Sequence, residues 1–214
     1  PNLFRELFTP SEKLQSLIDL HHKNIGGKYV AASFRFLELL GDFKDSEGMD
    51  ETLPPREQEL LIEQCYIELK KFIDTLPEFY KILVTSDSER FLTKASTLPR
   101  TYIIPGKVIH IRYKTTDTSA YMKTFLDMFL LSGAESLVLF KTGKMYNSGF
   151  PRLASQIGNK PFSSNSIYIK SKGVEIAISP VIVLFLSALV PEGLSTSLLF
   201  SIPVQGRALR DGSF

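Results

Sequence analysis

Four polar positions interrupt apolar segments of this chain, and each is of a type that can do chemistry. Arg35 lies in Ala32-Ser33-Phe34-Arg35-Phe36. An arginine in a buried strand is costly unless it meets an anion or a carboxylate. Its planar, permanently charged fork suits a diphosphate. An edge-strand arginine turned to water, or one paired with Asp42, explains it slightly better from the bare sequence. Asp87 closes Lys81-Ile82-Leu83-Val84-Thr85-Ser86-Asp87, where a carboxylate is also a good N-cap for a following helix. Asp127 sits in Phe125-Leu126-Asp127-Met128-Phe129-Leu130-Leu131, a segment apolar nearly all round and therefore expected to be buried. A buried carboxylate needs a partner. The two adjacent N–H donors of a guanine base would serve, and so would a lysine or arginine from a neighbouring element. Ser148-Gly149-Phe150 opens a helical pattern whose first backbone N–H groups can hold phosphate oxygens. Simple N-capping is the alternative there. No Gly-Lys-Ser/Thr follows, so this is not a P-loop.

The elements that must position these residues alternate. Residues 9–12, Thr-Pro-Ser-Glu, predict a helix start with Thr9 as N-cap and Pro10 at the first position. Leu14, Leu17, Ile18 and His21 then share one face, and Gly26-Gly27 ends the helix. Tyr29 to Phe36 reads as a strand covered on both faces. A long helix is expected from Pro55 to Thr75, with Leu60, Leu61, Ile67, Leu69 and Phe72 on its apolar side. Strands are expected at residues 81–87, 101–105, 135–140 and 166–170, with helices at 88–96, 118–131 and 150–158. Strand–helix alternation of this kind predicts an α/β fold, a Rossmann-like doubly wound parallel sheet. Ligands of such sheets sit beyond the carboxyl ends of the strands, and all four polar clusters fall at such ends or on the helices beside them.

Composition bounds the function classes. The chain has 214 residues, 43% hydrophobic and 22% charged, enough for a sizeable core. Its 25 basic and 23 acidic residues give a net charge of +2, with no basic stripe to suggest a nucleic-acid partner. One cysteine, Cys65, excludes an internal disulfide. It lies in an amphipathic helical pattern, and a small buried apolar role is expected. His21, His22 and His110 form no ligand spacing with cysteine or carboxylates, so no metal is expected. Asn2-Leu3-Phe4-Arg5-Glu6-Leu7-Phe8 has no basic n-region followed by an apolar h-region, so no signal peptide is expected, and a cytoplasmic location is expected. Residues 176–190 are apolar but number 15, short of the ~20 needed to cross a bilayer. They read as a buried strand–turn–helix or docking tail, with a membrane-proximal tail as the second reading. Three regions follow: an N-terminal helix (1–27), the α/β domain (28–172) and an apolar extension (173–214).

Over residues 29–162 the motifs resemble those of the fucosyltransferases that share a GT-B fold, including α1,2-, α1,6- and protein O-fucosyltransferases and related bacterial polysaccharide-locus proteins. Ser33-Phe34-Arg35-Phe36, with Gly41-Asp42 downstream, matches the family's strand ending in His-x-Arg-Arg-Gly-Asp, with Ser33 for the histidine and Phe36 for the second basic residue. Thr85-Ser86-Asp87-Ser88 matches its Ser/Thr-Asp strand end. Leu126-Asp127 through Leu131-Ser132-Gly133-Ala134-Glu135 matches its Asp-bearing helix and Leu-Ser-x-Ala-Asp/Glu turn. Ser148-Gly149-Phe150 occupies its serine turn. The resemblance implies the donor-binding half of an inverting, metal-independent glycosyltransferase using GDP-fucose and a glycan acceptor. It implies Arg35 as the catalytic contact to the β-phosphate, Ser148, Gly149 and Phe150 at the phosphates, Asp127 at guanine, and Ser33 and Asp87 lining the donor. A remnant binding or assembly module with the same fold is the alternative.

Overall fold

The computed structural model describes residues 9–43, 52–106 and 121–167, together with Phe4. Helix α1 (Glu12–Ile25) leads into strand β1 (Tyr29–Phe34), then helix α2 (Pro55–Thr75), strand β2 (Lys81–Ser86) and helix α3 (Glu89–Ala95). Strand β3 (Thr101–Tyr102), helix α4 (Met122–Gly133), strand β4 (Leu137–Lys141), helix α5 (Phe150–Gly158) and strand β5 (Phe162–Ser166) complete it. The five strands form one sheet in the order β3-β2-β1-β4-β5, and every neighbouring pair is parallel. This is the Rossmann-like α/β sheet that the alternation predicts.

Strand periodicity sorts the core into two layers. On one face, Phe34 stacks on Phe140 at 5.0 Å and lies 4.4 Å from Phe91 of α3, while Phe72 of α2 meets Phe140 at 5.5 Å. On the other face, Ala31, Leu83 and Leu137 pack with Leu14 and Ile18 of α1, Leu126 and Leu130 of α4, and Ala154 of α5. All six residues of β1 are buried, as a central strand covered on both sides requires. The chain leaves β1 towards β2 and leaves β4 towards β5, so the winding reverses between β1 and β4. A crevice at that reversal is where open α/β sheets place ligands.

Several boundaries differ from the expectation for local reasons. Ser11, not Thr9, caps α1: its Oγ accepts from Leu14 N–H at 3.4 Å. Gly26 ends the helix in the left-handed region, φ 72°, with its N–H on the His22 carbonyl. Leu60 and Ile67 are exposed; the buried stripe of α2 runs instead through Leu61, Ile62, Cys65, Leu69, Phe72 and Ile73. Cys65 is buried as expected, its thiol against Met145 Sδ at 3.7 Å, and burial pushes its pKa far upward. β3 pairs for two residues only, and Pro105 could not donate to a longer ladder. The last strand begins at Phe162 rather than Ser166. As a half-exposed edge strand of Phe-Ser-Ser-Asn-Ser it lacks the apolar signal, and its place is set by backbone pairing to β4. Residues 168–170 of the expected strand, His110, and the extension from residue 173 lie outside the described residues. Among the described residues, no helix is long and apolar enough to cross a membrane.

Candidate functional site

Arg35 lies one residue beyond the carboxyl end of β1, at the reversal point. Its Nε is 3.3 Å from Asp87 Oδ2, so its carboxylate partner is Asp87 and not Asp42. The Asp42 carboxylate instead accepts from Ser88 Oγ at 2.7 Å and Arg90 N–H at 3.1 Å. The Arg35 guanidinium also lies over the Phe43 ring, 4.8 Å from its centroid. Capping of α3 falls to Ser88, whose Oγ accepts from Phe91 N–H at 3.1 Å, which leaves Asp87 for other work. Its side chain is fully buried. Oδ1 accepts from Phe36 N–H at 2.9 Å and Oδ2 from Leu37 N–H at 2.7 Å. Leu37 has φ 54°, a left-handed conformation that costs a non-glycine residue about 1–2 kcal/mol. The Asp87 carboxylate thus fixes both the guanidinium and the turn that follows it. Burial pushes the Asp87 carboxyl up from its ordinary range, while Arg35 and the backbone N–H groups pull it down less strongly.

Beside Arg35 runs the segment between β4 and α5. Met145 N–H donates to the Thr142 carbonyl at 3.1 Å, closing a turn, and buried Met145 anchors that turn on Cys65. Tyr146 N–H then donates to the Arg35 carbonyl at 3.3 Å, tying this segment to the end of β1. Ser148, 9% exposed, accepts from Phe150 N–H at 3.3 Å through its Oγ, and Pro151 contributes no N–H to the helix start. Gly149 has φ −77°, which any residue adopts, and a Cβ there would meet nothing within 4 Å. Neither backbone conformation nor internal packing therefore requires glycine at this position.

Ser33 and Asp127 lie deeper. Ser33 is buried, and its Oγ accepts from Thr85 Oγ1 across the β1–β2 seam at 3.1 Å. Asp127 is 4% exposed and paired with Lys123, one turn earlier on its own helix. This is the lysine alternative, realised within α4 rather than from a neighbouring element. Burial pushes the Asp127 carboxyl up and Lys123 pulls it back. Lys123 stands in the first turn of α4, where a cation opposes the helix dipole, and its observed work is to pair the buried carboxylate. His21 closes this region, with Nδ1 2.6 Å from the Tyr102 hydroxyl.

Burial first, then Lys123 and His22, hold the His21 imidazole below its ordinary value of 6.5. The unfolded chain then takes up that proton more readily than the native one. The linked stability is complete above the unfolded value and is lost as pH falls through the lowered folded value. The urea midpoint should drop between about pH 7.5 and about pH 5.5, and His21→Gln should flatten the drop. An equally steep drop in the variant would show that other groups carry it.

The sequence did not single out Lys123, Lys141, Tyr146 or the strained Leu37. Lys141 carried the same signal as Arg35, a charge closing an apolar strand. Among the described residues, no group of three His, Cys, Asp or Glu side chains could hold a metal ion.

No family model and no curated protein matches the chain. Among solved structures it is similar to the NodZ α1,6-fucosyltransferase co-crystallised with GDP, at 16% identity and a TM-score of 0.46. A second structure of that enzyme, soaked with GDP-fucose, gives 16% identity and a TM-score of 0.44. In both cases 69% of this chain is covered and 42% of the other, so the chain spans under half of the enzyme it resembles.

Proposed function

We propose that the crevice between β1 and β4 binds a nucleoside diphosphate sugar, GDP-fucose, as the donor-binding half of an inverting, metal-independent glycosyltransferase with a glycan acceptor. The observation that carries this reading is the Arg35–Asp87 couple at the reversal of the winding. A buried carboxylate and a strained turn are used there to hold one guanidinium at the ligand end of the sheet. Gly149 supports it, since the open space at its Cα leaves room for ligand atoms beside the start of α5. Departure of the sugar leaves negative charge on GDP, and Arg35 together with the N-terminus of α5 would stabilise it as it develops. Asp127 would accept from the guanine edge while remaining bound to Lys123, Ser33 would lie at the floor, and Asp87 would act beneath it by holding Arg35.

One observation favours the second reading, a remnant binding or assembly module. Phe36, which stands where the resembled family has a basic residue, is fully buried against Phe91 at 5.2 Å, so the turn carries one cation fewer.

Calorimetry with GDP, GDP-fucose, GDP-mannose and UDP tests the proposal. Guanine nucleotides should bind in preference to UDP. Folded protein that takes up no GDP at millimolar concentration would sink the donor-binding reading. Arg35→Ala should weaken GDP by about 1.5–3 kcal/mol, the range for a hydrogen bond to a charged group, and leave guanosine almost unchanged. Equal losses for both ligands would remove Arg35 from the phosphates.

A further inference from the structure

We infer that Lys141 is a second cationic contact for the diphosphate, supplied from across the β1–β4 seam in place of the basic side chain that Phe36 lacks. The inference rests on the proposed donor-binding reading and adds a residue to it. Phe34 pairs with Phe140 in the parallel register, so Arg35 and Lys141 are the next positions on either side of the reversal point, where strands run about 4.8 Å apart. Phe34 and Phe140 stack together on the face covered by α2 and α3. As the next residue of its strand, Lys141 turns to the opposite face, the one α5 covers.

The surrounding bonds hold Lys141 in place without neutralising it. Its carbonyl accepts from Ile167 N–H at 2.6 Å, and its Nζ donates to Asn147 Oδ1 at 3.1 Å. Asn147 immediately precedes Ser148, so the ammonium is drawn towards the start of α5. An amide orients the ammonium and leaves its charge uncompensated. Lys144, three residues on, differs: Glu57 neutralises it at 2.8 Å. By register Lys141 and Arg35 are therefore neighbouring cations at the carboxyl ends of β4 and β1, Lys141 held by an amide and Arg35 by Asp87, while Lys144 belongs to a surface ion pair. A diphosphate carries charge on both phosphates, and one guanidinium already committed to Asp87 meets only part of it.

The test compares Lys141→Gln with Lys144→Gln, which removes the same charge three residues further on, using GDP, inorganic pyrophosphate and guanosine as titrants. Lys141→Gln should weaken GDP and pyrophosphate about tenfold and leave guanosine unchanged. Lys144→Gln should stay within about twofold of the parent for all three, as expected for a rim charge in a surface pair. Lys141→Arg should retain binding, which guards against a folding defect in the glutamine variant. If Lys141→Gln behaves as Lys144→Gln while Arg35→Ala still loses GDP, Lys141 is not a ligand contact and the donor-binding reading survives. If the parent binds neither GDP nor pyrophosphate, both fall together.

Discussion

Among the described glycines, Gly158→Ala should be the most destabilising alanine substitution. A Cβ at residue 158 would lie 2.0 Å from the Ser132 carbonyl oxygen and 2.9 Å from its carbonyl carbon. Both are backbone atoms of the last turn of α4, so no rotamer change relieves the clash. Reaching even 3.0 Å demands that α5 and α4 part by roughly an ångström, and packed cores resist such shifts. Alanine is favoured over glycine in a helix by about 1 kcal/mol. Overpacking costs typically 1–3 kcal/mol and more against rigid backbone, so the clash wins and a net loss of about 2 kcal/mol or more is expected.

Two glycines make the comparison decisive. At Gly133 an added Cβ would meet the Tyr29 hydroxyl at 2.7 Å, the tip of a side chain. That hydroxyl is tied to the Leu130 carbonyl at 2.8 Å, so Gly133→Ala should cost an intermediate amount. At Gly143 nothing lies within 4 Å, and Gly143→Ala should be neutral. Urea unfolding of the three variants should rank them in that order. A Gly158→Ala protein as stable as Gly143→Ala would show that α4 and α5 are not in contact as described.

The fold was legible because its signals are redundant. The buried runs of β1, β2 and β4 and the 21-residue helix α2 each carry their own periodicity, and their alternation admits few topologies. β5 was misplaced because an edge strand needs no apolar pattern. Leu60 and Ile67 were misassigned because apolar residue type does not say which of two adjacent helix faces meets the sheet. The site was legible only as residues and not as couples. Nothing in the spacing from Arg35 to Asp87 or from Ser33 to Thr85 announces the contact, since each joins two strands 52 positions apart in sequence and side by side in the sheet. Asp42 was the nearer carboxylate in sequence and lost Arg35 because the 3-10 turn at Leu37–Leu40 carries it to the start of α3. Asp127 was the opposite case, with its partner only one helical turn away.

Asp87→Asn should uncouple Arg35 from the crevice while leaving the sheet intact. Both carboxylate oxygens accept backbone N–H groups, from Phe36 and from Leu37. An amide keeps one acceptor and turns an NH2 group towards the other N–H, so one buried donor loses its partner at about 1–3 kcal/mol. Removing a buried charge works the other way. The carboxyl is raised by burial, with Arg35 and the N–H groups opposing. A raised folded value means that the linked stability is greatest below the unfolded carboxylate range and falls as pH rises through the folded value. Asparagine removes that dependence, so the variant's deficit should be larger in mild acid than at neutrality, where the parent carries the buried charge. Binding separates this structural effect from the proposed role. If Asp87 acts by orienting Arg35, Asp87→Asn should weaken GDP by about tenfold in protein that remains folded, and should weaken it little further when Arg35 is already alanine. That non-additivity marks two residues working as one unit. Full additivity in the double-mutant cycle would mean that Asp87 supports the fold alone and that Arg35 finds its orientation elsewhere.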